Sequence, residues 1–412
     1  MAYVTSEAPT RTELSACVQC GLCLPHCPTF RLTGRESAGP RGRLMAMSAV
    51  LDGVLAVDEA FDDAMSYCLQ CRACEAVCPG LVPFGRVMEG ARAELDAQRP
   101  NPQRRVRRFL LGSVLPRRPL ISLATYGASV MQRLRLGRLL PEPVRRSFSG
   151  MRQLGARTTW VGREVMPSQE PLGTIGLLAG CVMDAWFGPV HDATVGVLTA
   201  AGYRVTVPEE QTCCGALASH AGHVAAAKAL AETNRVAFAA VDLVVSDAAG
   251  CTAHLKEYDH WAGGPFQDKV RDVTELVAEL IESGRLPVIA GDRGSVAVQD
   301  PCHLRHAQRI TTAPRAILRA AGHTPTEIDP DGLCCGAAGI YSVLHPDTSH
   351  ELGMRKAEQV MSTGAPVVAS ANPGCEMQLR SHLDGKIAVA HPIELYWQAL
   401  NESRLDEASG AP

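Results

Sequence analysis

The chain has 412 residues, 46% of them hydrophobic and 20% charged, with a net charge of -3 and a mean hydropathy of +0.01. That is apolar material for two or three packed domains, and it excludes a disordered chain. The longest apolar stretches, such as 121–131, fall well short of the roughly 20 residues that a bilayer span requires, so any membrane contact is expected to be peripheral or through a partner.

The chain opens MAYVTSEAPTRTELSACVQC, a polar start without a charged-then-apolar leader. Its 16 cysteines are therefore expected to be reduced and metal-bound rather than paired as disulfides. The first eight form the run CxxCxxCxxxCP twice: Cys17, Cys20, Cys23 and Cys27 before Pro28, then Cys68, Cys71, Cys74 and Cys78 before Pro79. Three thiolates spaced three apart wrap one face of a cubane, while the fourth reaches the other cluster in two-cluster ferredoxins. One 4Fe-4S cluster is thus expected on Cys17, Cys20, Cys23 and Cys78, and a second on Cys68, Cys71, Cys74 and Cys27. A pair of structural zinc sites would usually show two CxxC pairs instead. Between the runs, RLMAMSAVLDG and DEAFDDAMSYC read as helical, so residues 1–95 are expected to form an α-helical ferredoxin-type domain.

Residues 96–170 read as a connecting segment. Between positions 99 and 157 there are 14 arginines, one glutamate (Glu142) and no lysine or aspartate, so this stretch carries +13 and the remainder -16. It is either a solvated linker or a docking surface for an acidic partner or anionic lipid head groups. Few aromatics and no recognition motif argue against nucleic acid.

The second eight cysteines repeat at roughly 120 residues. Cys181 to Cys213 and Cys302 to Cys334 both span 32 residues; Cys214 to Cys251 spans 37 and Cys335 to Cys375 spans 40. TIGLLAGC and SVAVQDPC, then DLVVSDAAGC and APVVASANPGC, are apolar runs ending in cysteine, which read as buried strands. Alanine-rich HVAAAKALAETNRVAFAA reads as a helix, and DVTELVAEL and HPIELYWQAL close the two halves as helices. The fold class expected is α+β and multidomain: the ferredoxin-type domain with two clusters, then two α/β lobes at 171–290 and 291–412, related by internal duplication.

Ligands of parallel sheets gather beyond the carboxyl ends of the strands, where Cys181, Cys251, Cys302 and Cys375 fall; Gly250 and Gly374 are expected to make strand-to-loop turns just before two of them. Each lobe then offers four thiols: Cys181, Cys213, Cys214 and Cys251 in the first, Cys302, Cys334, Cys335 and Cys375 in the second. Adjacent side chains of extended backbone point apart, so a vicinal pair serves one site only if the chain turns sharply, which Gly215 and Gly336 permit. Soft thiolates in fours select iron-sulfur, zinc or copper(I). A polynuclear cluster suits adjacent thiolates, which can bind different irons; one zinc per lobe and buried structural cysteines are the alternatives. Of the nearby His220, His223, His254, His303 and His306, the candidate additional ligands are His254 and His303. No GxGxxG follows a strand, so no dinucleotide site is expected on this chain.

The two cysteine runs with GPRGRL (39–44) between them, followed by two CCG repeats, resemble the iron-sulfur subunits of glycolate oxidase (glycolate dehydrogenase). The layout is also similar to the iron-sulfur subunit of anaerobic glycerol-3-phosphate dehydrogenase, and the CCG repeats resemble those of heterodisulfide reductase. There is a departure from the last: where that family closes with CxxC, Cys251 is followed by Thr252, Ala253 and His254, and Cys375 by Glu376, Met377 and Gln378. The noncubane cluster that cleaves disulfides would lack a ligand in both lobes, which favours electron relay. The resemblance implies an electron-transfer subunit of a flavin-dependent 2-hydroxyacid dehydrogenase, with FAD on a partner subunit and electrons leaving toward quinone or another acceptor. The polar start and the reduced cysteines lead to an expected cytoplasmic location, with the arginine-rich 99–157 as the candidate contact with the inner face of the cell membrane. A disulfide reductase acting at a CCG site and a zinc-stabilised interaction module are the competing readings.

Overall fold

Pro28 and Pro40 each begin a helix, Pro28–Thr33 and Pro40–Leu51, because proline's fixed φ suits the first turn and its missing N–H has no partner there. Asp58 caps the next helix, Glu59–Ser66, by accepting from the Phe61 N–H. With the longer Phe84–Gln98, these helices bury Leu44, Met47, Phe61, Met65, Val87 and Met88 in one core. At about 1.5–3 kcal/mol for each fully buried side chain, that core holds the two cysteine loops on a rigid base. The computed structural model describes residues 3–154 and 159–409, and among the described residues up to Gln98 there is no strand. Arg157 of the basic stretch lies outside the described residues.

The connecting stretch is largely helical, with Pro102–Phe109, Leu110–Val114, Arg118–Arg133, Leu136–Leu139 and Glu142–Ser149. Several of its arginines pair with carboxylates: the buried Arg104 with Asp62, the exposed Arg108 with Asp96, and Arg152 with both Glu376 and Glu394. Arg118–Arg133 is inverted relative to an ordinary surface helix. It buries Thr125 and Ser129, which bond to Trp186 and to the Leu154 carbonyl, and exposes Leu120, Leu123 and Tyr126.

Two sheets follow. The first comprises β1 (Glu164–Val165), β2 (Thr174–Leu177), β3 (Arg204–Thr206), β4 (Leu243–Ser246) and β5 (Val270–Asp272) in the order β1-β3-β2-β4-β5. The second comprises β6 (Ser295–Gln299), β7 (Thr324–Glu327), β8 (Val367–Ser370) and β9 (Ala388–Ala390) in the order β7-β6-β8-β9. Apart from the antiparallel β1, every pairing is parallel; Ile175 sits between Val205 and Leu243, and Val296 between Pro325 and Val367. Without β1 the two orders correspond, with β2 and β6 leading to Cys181 and Cys302, and β4 and β8 to Cys251 and Cys375.

The helices that close the halves cross over. Pro392–Ser409 packs on Gly188–Ala200 of the first half, and Val273–Glu282 packs on Thr312–Ala320 of the second. Ile175, Leu198, Val277, Ile317, Ile393 and Tyr396 thus share one core. The crossing is close enough that a Cβ at Gly196 would stand 2.4 Å from the Trp397 ring. The two lobes are interlocked, which fixes whatever lies between them.

One expectation is corrected. Gly250 and Gly374 lie within the first turns of the helices Ala249–Leu255 and Pro373–Leu383 and have no left-handed backbone. They make no strand-to-loop turn; at Gly250 the missing side chain admits Asn372, whose Oδ1 accepts from the Gly250 N–H (3.1 Å).

Candidate metal centres

The two ferredoxin-type loops share a backbone. In CVQCGLC, Gln19 and Gly21 have φ of 56° and 80°; in CLQCRAC, Gln70 and Arg72 have 49° and 61°. These left-handed residues curl each loop around its thiols. Cys17, Cys20, Cys23 and Cys78 border one hollow, and Cys27, Cys68, Cys71 and Cys74 border another, with Cys74 reaching both. The fourth cysteine of each run therefore stands with the three of the other. Burial, and then the neighbouring thiols, push Cys23 up to about 11 and Cys74 well above the usual thiol range.

The GPRGR stretch supplies a cation to each loop. Arg41 pairs with Glu36 (2.7 Å) and donates to the Gln19 carbonyl (3.2 Å). Arg43, fully buried, donates to Ala64 O and Thr29 Oγ1 and stands 4.0 Å from Cys27 Sγ. Gly42 lies against the Glu36 carbonyl, where a Cβ would come within 2.2 Å.

All eight cysteines of the second set, with Cys68, line one cavity of about 440 Å³ between the lobes. Spacing alone suggested a site in each lobe; the fold turns both toward one space. Within each lobe the vicinal pair divides. Cys213 Sγ lies 3.4 Å from Cys181 Sγ and Cys214 Sγ 3.2 Å from Cys251 Sγ, while Cys334 bonds to Cys302 and Cys335 to Cys375. All 16 thiols are free. Gly215 and Gly336, at φ of 91° and 88°, make the expected turn. One thiol of each pair is drawn well below the usual range by hydrogen bonds from its neighbours: Cys213 by Cys181 and Cys214, Cys335 by Cys334 and Cys375. Four thiols bound together as thiolates at a buried site would need compensating cations, and a soft metal centre is what this donor set suits. Among the described residues, no three His, Cys, Asp or Glu side chains are gathered for a single metal ion.

The histidines divide. His254 is buried beside Gly215 with its Nε2 unpartnered, and burial holds it down at about 4. His303, lowered to about 3 chiefly by burial, donates from Nε2 to the Gln70 carbonyl (2.9 Å), so that nitrogen ties the second lobe to a ferredoxin-type loop instead of facing a metal. His306 donates to Gly332 O, and His223 stands beside Asp96. His220 borders the cavity and donates from Nδ1 to Glu89 Oε1 (2.7 Å).

Sequence reasoning missed Glu89 and Arg92, both on Phe84–Gln98. Arg92 donates to the Cys68 and Met65 carbonyls, to Gln70 Oε1 and to the His220 carbonyl, stitching the loop to the first lobe. Nothing in an amphipathic helix marks such a residue. At the same junction Cys71, Leu69, Cys302, Cys334 and Tyr341 form one apolar cluster.

Known families and proteins carry the same pattern. Residues 13–82 match the 4Fe-4S dicluster domain family, and residues 175–256 and 296–380 each match the cysteine-rich domain family. The chain is 33% identical to the probable glycolate oxidase iron-sulfur subunit of Bacillus subtilis, over 94% of each chain. It is 33% identical to the glycolate oxidase iron-sulfur subunit of Escherichia coli, over 94% of this chain and 95% of that one. It is 26% identical to a subunit of the fumarate reductase (CoM/CoB) of Methanothermobacter marburgensis, over 95% of this chain and 73% of that one.

Proposed function

The chain belongs to the family of glycolate oxidase iron-sulfur subunits, and on that premise we propose that it carries electrons for a flavin-dependent 2-hydroxyacid dehydrogenase. In this reading a short acid such as glycolate is oxidised on a separate FAD-binding subunit, and the electrons leave toward quinone. The observation that carries it is the apolar cluster joining Cys71 to Cys302 and Cys334, which sets the second ferredoxin-type loop against the cavity thiols. Cys17, Cys20, Cys23 and Cys78 would hold one 4Fe-4S cluster, and Cys27, Cys68, Cys71 and Cys74 the other. The two fours around the cavity, with His254 as a further donor, would hold iron-sulfur centres as well. Such clusters, when bound, take up and release single electrons. The chain's own residues hold both loops, bury the second of them, and place Arg41 on the Gln19 carbonyl of the first loop and Arg43 4.0 Å from Cys27 Sγ. The correspondence of strand orders supports reading 171–290 and 291–412 as a duplicated pair, joined by 96–170 to a ferredoxin-type unit at 1–95.

Anaerobic purification of the tagged chain tests this. A flavin-bearing subunit should accompany it, iron should be well above about eight atoms per chain, and the chain alone should not oxidise glycolate. Glycolate oxidation by the chain alone would end the proposal. About eight irons with two zincs would favour the zinc-stabilised module. The substrate of the accompanying subunit then distinguishes glycolate from lactate or glycerol-3-phosphate. Reduction of a disulfide with reduced viologen, lost in Cys334→Ala, would instead favour a thiol reductase.

Among the described residues no helix is long and apolar enough to cross a membrane. The inverted helix Arg118–Arg133 nevertheless presents Leu120, Leu123 and Tyr126 outward, near the exposed Arg117, Arg133, Arg135 and Arg138. Exposed apolar side chains flanked along the chain by exposed arginines suit the head-group boundary of an anionic leaflet, so in this reading the face is the peripheral contact with the inner side of the cell membrane. Vesicles of mixed phosphatidylglycerol and phosphatidylcholine should retain the chain at low salt, and Leu123→Ser with Tyr126→Ser should weaken retention roughly tenfold or more. Equal retention by pure phosphatidylcholine, or none by either, would rule this out.

A further inference from the structure

The two ferredoxin-type loops have one backbone and two different environments. In the second, Leu69, Gln70 and Cys71 are buried: Leu69 is 6% exposed and packs with Tyr341, Cys334 and Cys302, and the Gln70 carbonyl accepts from His303. In the first, the equivalent Val18, Gln19 and Cys20 face solvent, with Val18 71% exposed. The next equivalent pair repeats the contrast, since Leu22 is 57% exposed and Ala73 1%. Cys20 is the only exposed cysteine among the described residues. Leu81, three residues after Cys78, adds a further exposed apolar side chain from a left-handed position, φ 52°. It is held beside the first loop because Gly80 lies against the Ala16 carbonyl, where a Cβ would come within 2.4 Å.

An exposed large apolar residue taken singly means little, but a group of them around an exposed ligand is a different matter. The buried loop shows what this tip does when it is covered: its apolar residues seat against another thiol-bearing surface and bring Cys71 next to Cys302 and Cys334. We propose that the uncovered tip, Val18, Gln19, Cys20 and Leu22 with Leu81, is the docking surface for the flavin-bearing subunit, seated as the second tip is seated on the lobes. This rests on the functional reading above and deepens it, because it assigns the partner's end of the chain to the first loop and the cavity to the opposite end.

The test uses the flavin-bearing subunit purified with the full chain, separated from it and titrated back anaerobically onto the metal-loaded chain. Val18→Glu should keep the iron content and dithionite-reduced spectrum of the unaltered chain while weakening the complex at least about tenfold. Leu81→Gly, which suits the left-handed backbone, should weaken it in the same direction even if Val18→Glu disturbs loading. Leu405→Glu, on the exposed side of the closing helix, should change nothing. Hydrogen exchange in the complex should be slowed at 17–22 and 79–82. Unchanged affinity in Leu81→Gly with protection elsewhere would overturn the surface and leave the functional reading intact. So would loss of self-association in its place, which would assign the tip to a second copy. Absence of any complex with the unaltered chain would bring down both.

Discussion

Cys27→Ser is expected to abolish the same iron-sulfur centre as Cys68→Ser, and Cys78→Ser the same centre as Cys17→Ser, each change removing about four irons per chain. The reason is geometric: Cys27 borders the hollow of Cys68, Cys71 and Cys74, and Cys78 that of Cys17, Cys20 and Cys23. A serine oxygen is a harder donor than a thiolate and suits iron-sulfur ligation poorly. At Cys27 the loss is compounded, because the fully buried Arg43 stands 4.0 Å from Cys27 Sγ and would keep its charge beside an emptied site. The two classes should also differ downstream. Loss of the Cys27 class removes the centre next to Cys302 and Cys334, and loss of the Cys78 class leaves that junction intact. Iron analysis and low-temperature paramagnetic resonance of the dithionite-reduced variants measure this. The crosswise assignment does not survive if Cys27→Ser removes the signal that Cys17→Ser removes.

The sequence was most informative where chemistry repeats at short spacing. The cysteine runs form loops, and the apolar stretches before Cys181, Cys251, Cys302 and Cys375 form β2, β4, β6 and β8, with Cys251 and Cys375 in the first turns of the helices that follow rather than at the strand ends. The strands flanking the central pair of each sheet were not legible, because RVT, VRD, TPTE and AVA are too short for a period of two to register. The shared cavity was not legible either. Spacing reports distance along the chain, whereas the cavity arises because Pro392–Ser409 and Val273–Glu282 each close onto the opposite half. The same limit hid Arg92, whose carbonyl partners come from separate segments, and Arg152, which composition presented only as one of 14 arginines. Gly250 and Gly374 were misread because a glycine before a cysteine signals a turn only if its φ is positive; here neither φ is positive, and Gly250 instead lies close to Asn372.

Arg152→Met is expected to destabilise the loaded chain by about 3–5 kcal/mol near neutral pH, the cost of leaving buried charge uncompensated. The guanidinium donates from Nε and Nη2 to Glu376 (2.6 and 2.8 Å) and from Nη1 and Nη2 to Glu394 (2.6 and 2.7 Å), and it lies over the Phe187 ring. Glu376 is 2% exposed, keeps only Arg380 if Arg152 is lost, and follows directly on Cys375. Glu394 opens the helix that closes onto the first half. A surface pair would be worth at most about 1 kcal/mol; this one joins the connecting segment, the second thiol site and the interlocking helix. The pH dependence has a definite sign. Burial pushes Glu394 up, but Arg152 outweighs it and holds the carboxyl below its ordinary value of about 4.3. That stabilisation is full above the unfolded value and fades as pH falls through the folded one. In Arg152→Met burial is opposed only by His391, whose backbone N–H donates to Glu394 Oε2 (2.8 Å), so the carboxyl takes up a proton more readily than in the unaltered chain, and the deficit should shrink as pH falls toward about 4.3. Denaturant unfolding of both chains at several pH values measures this, with Arg152→Met/Glu394→Gln recovering part of the loss. A deficit under about 1 kcal/mol that does not vary with pH would reduce the clamp to an ordinary surface contact. Because Glu376 adjoins Cys375, loss of the clamp should also lower metal retention in the second lobe while the signals of the ferredoxin-type centres persist.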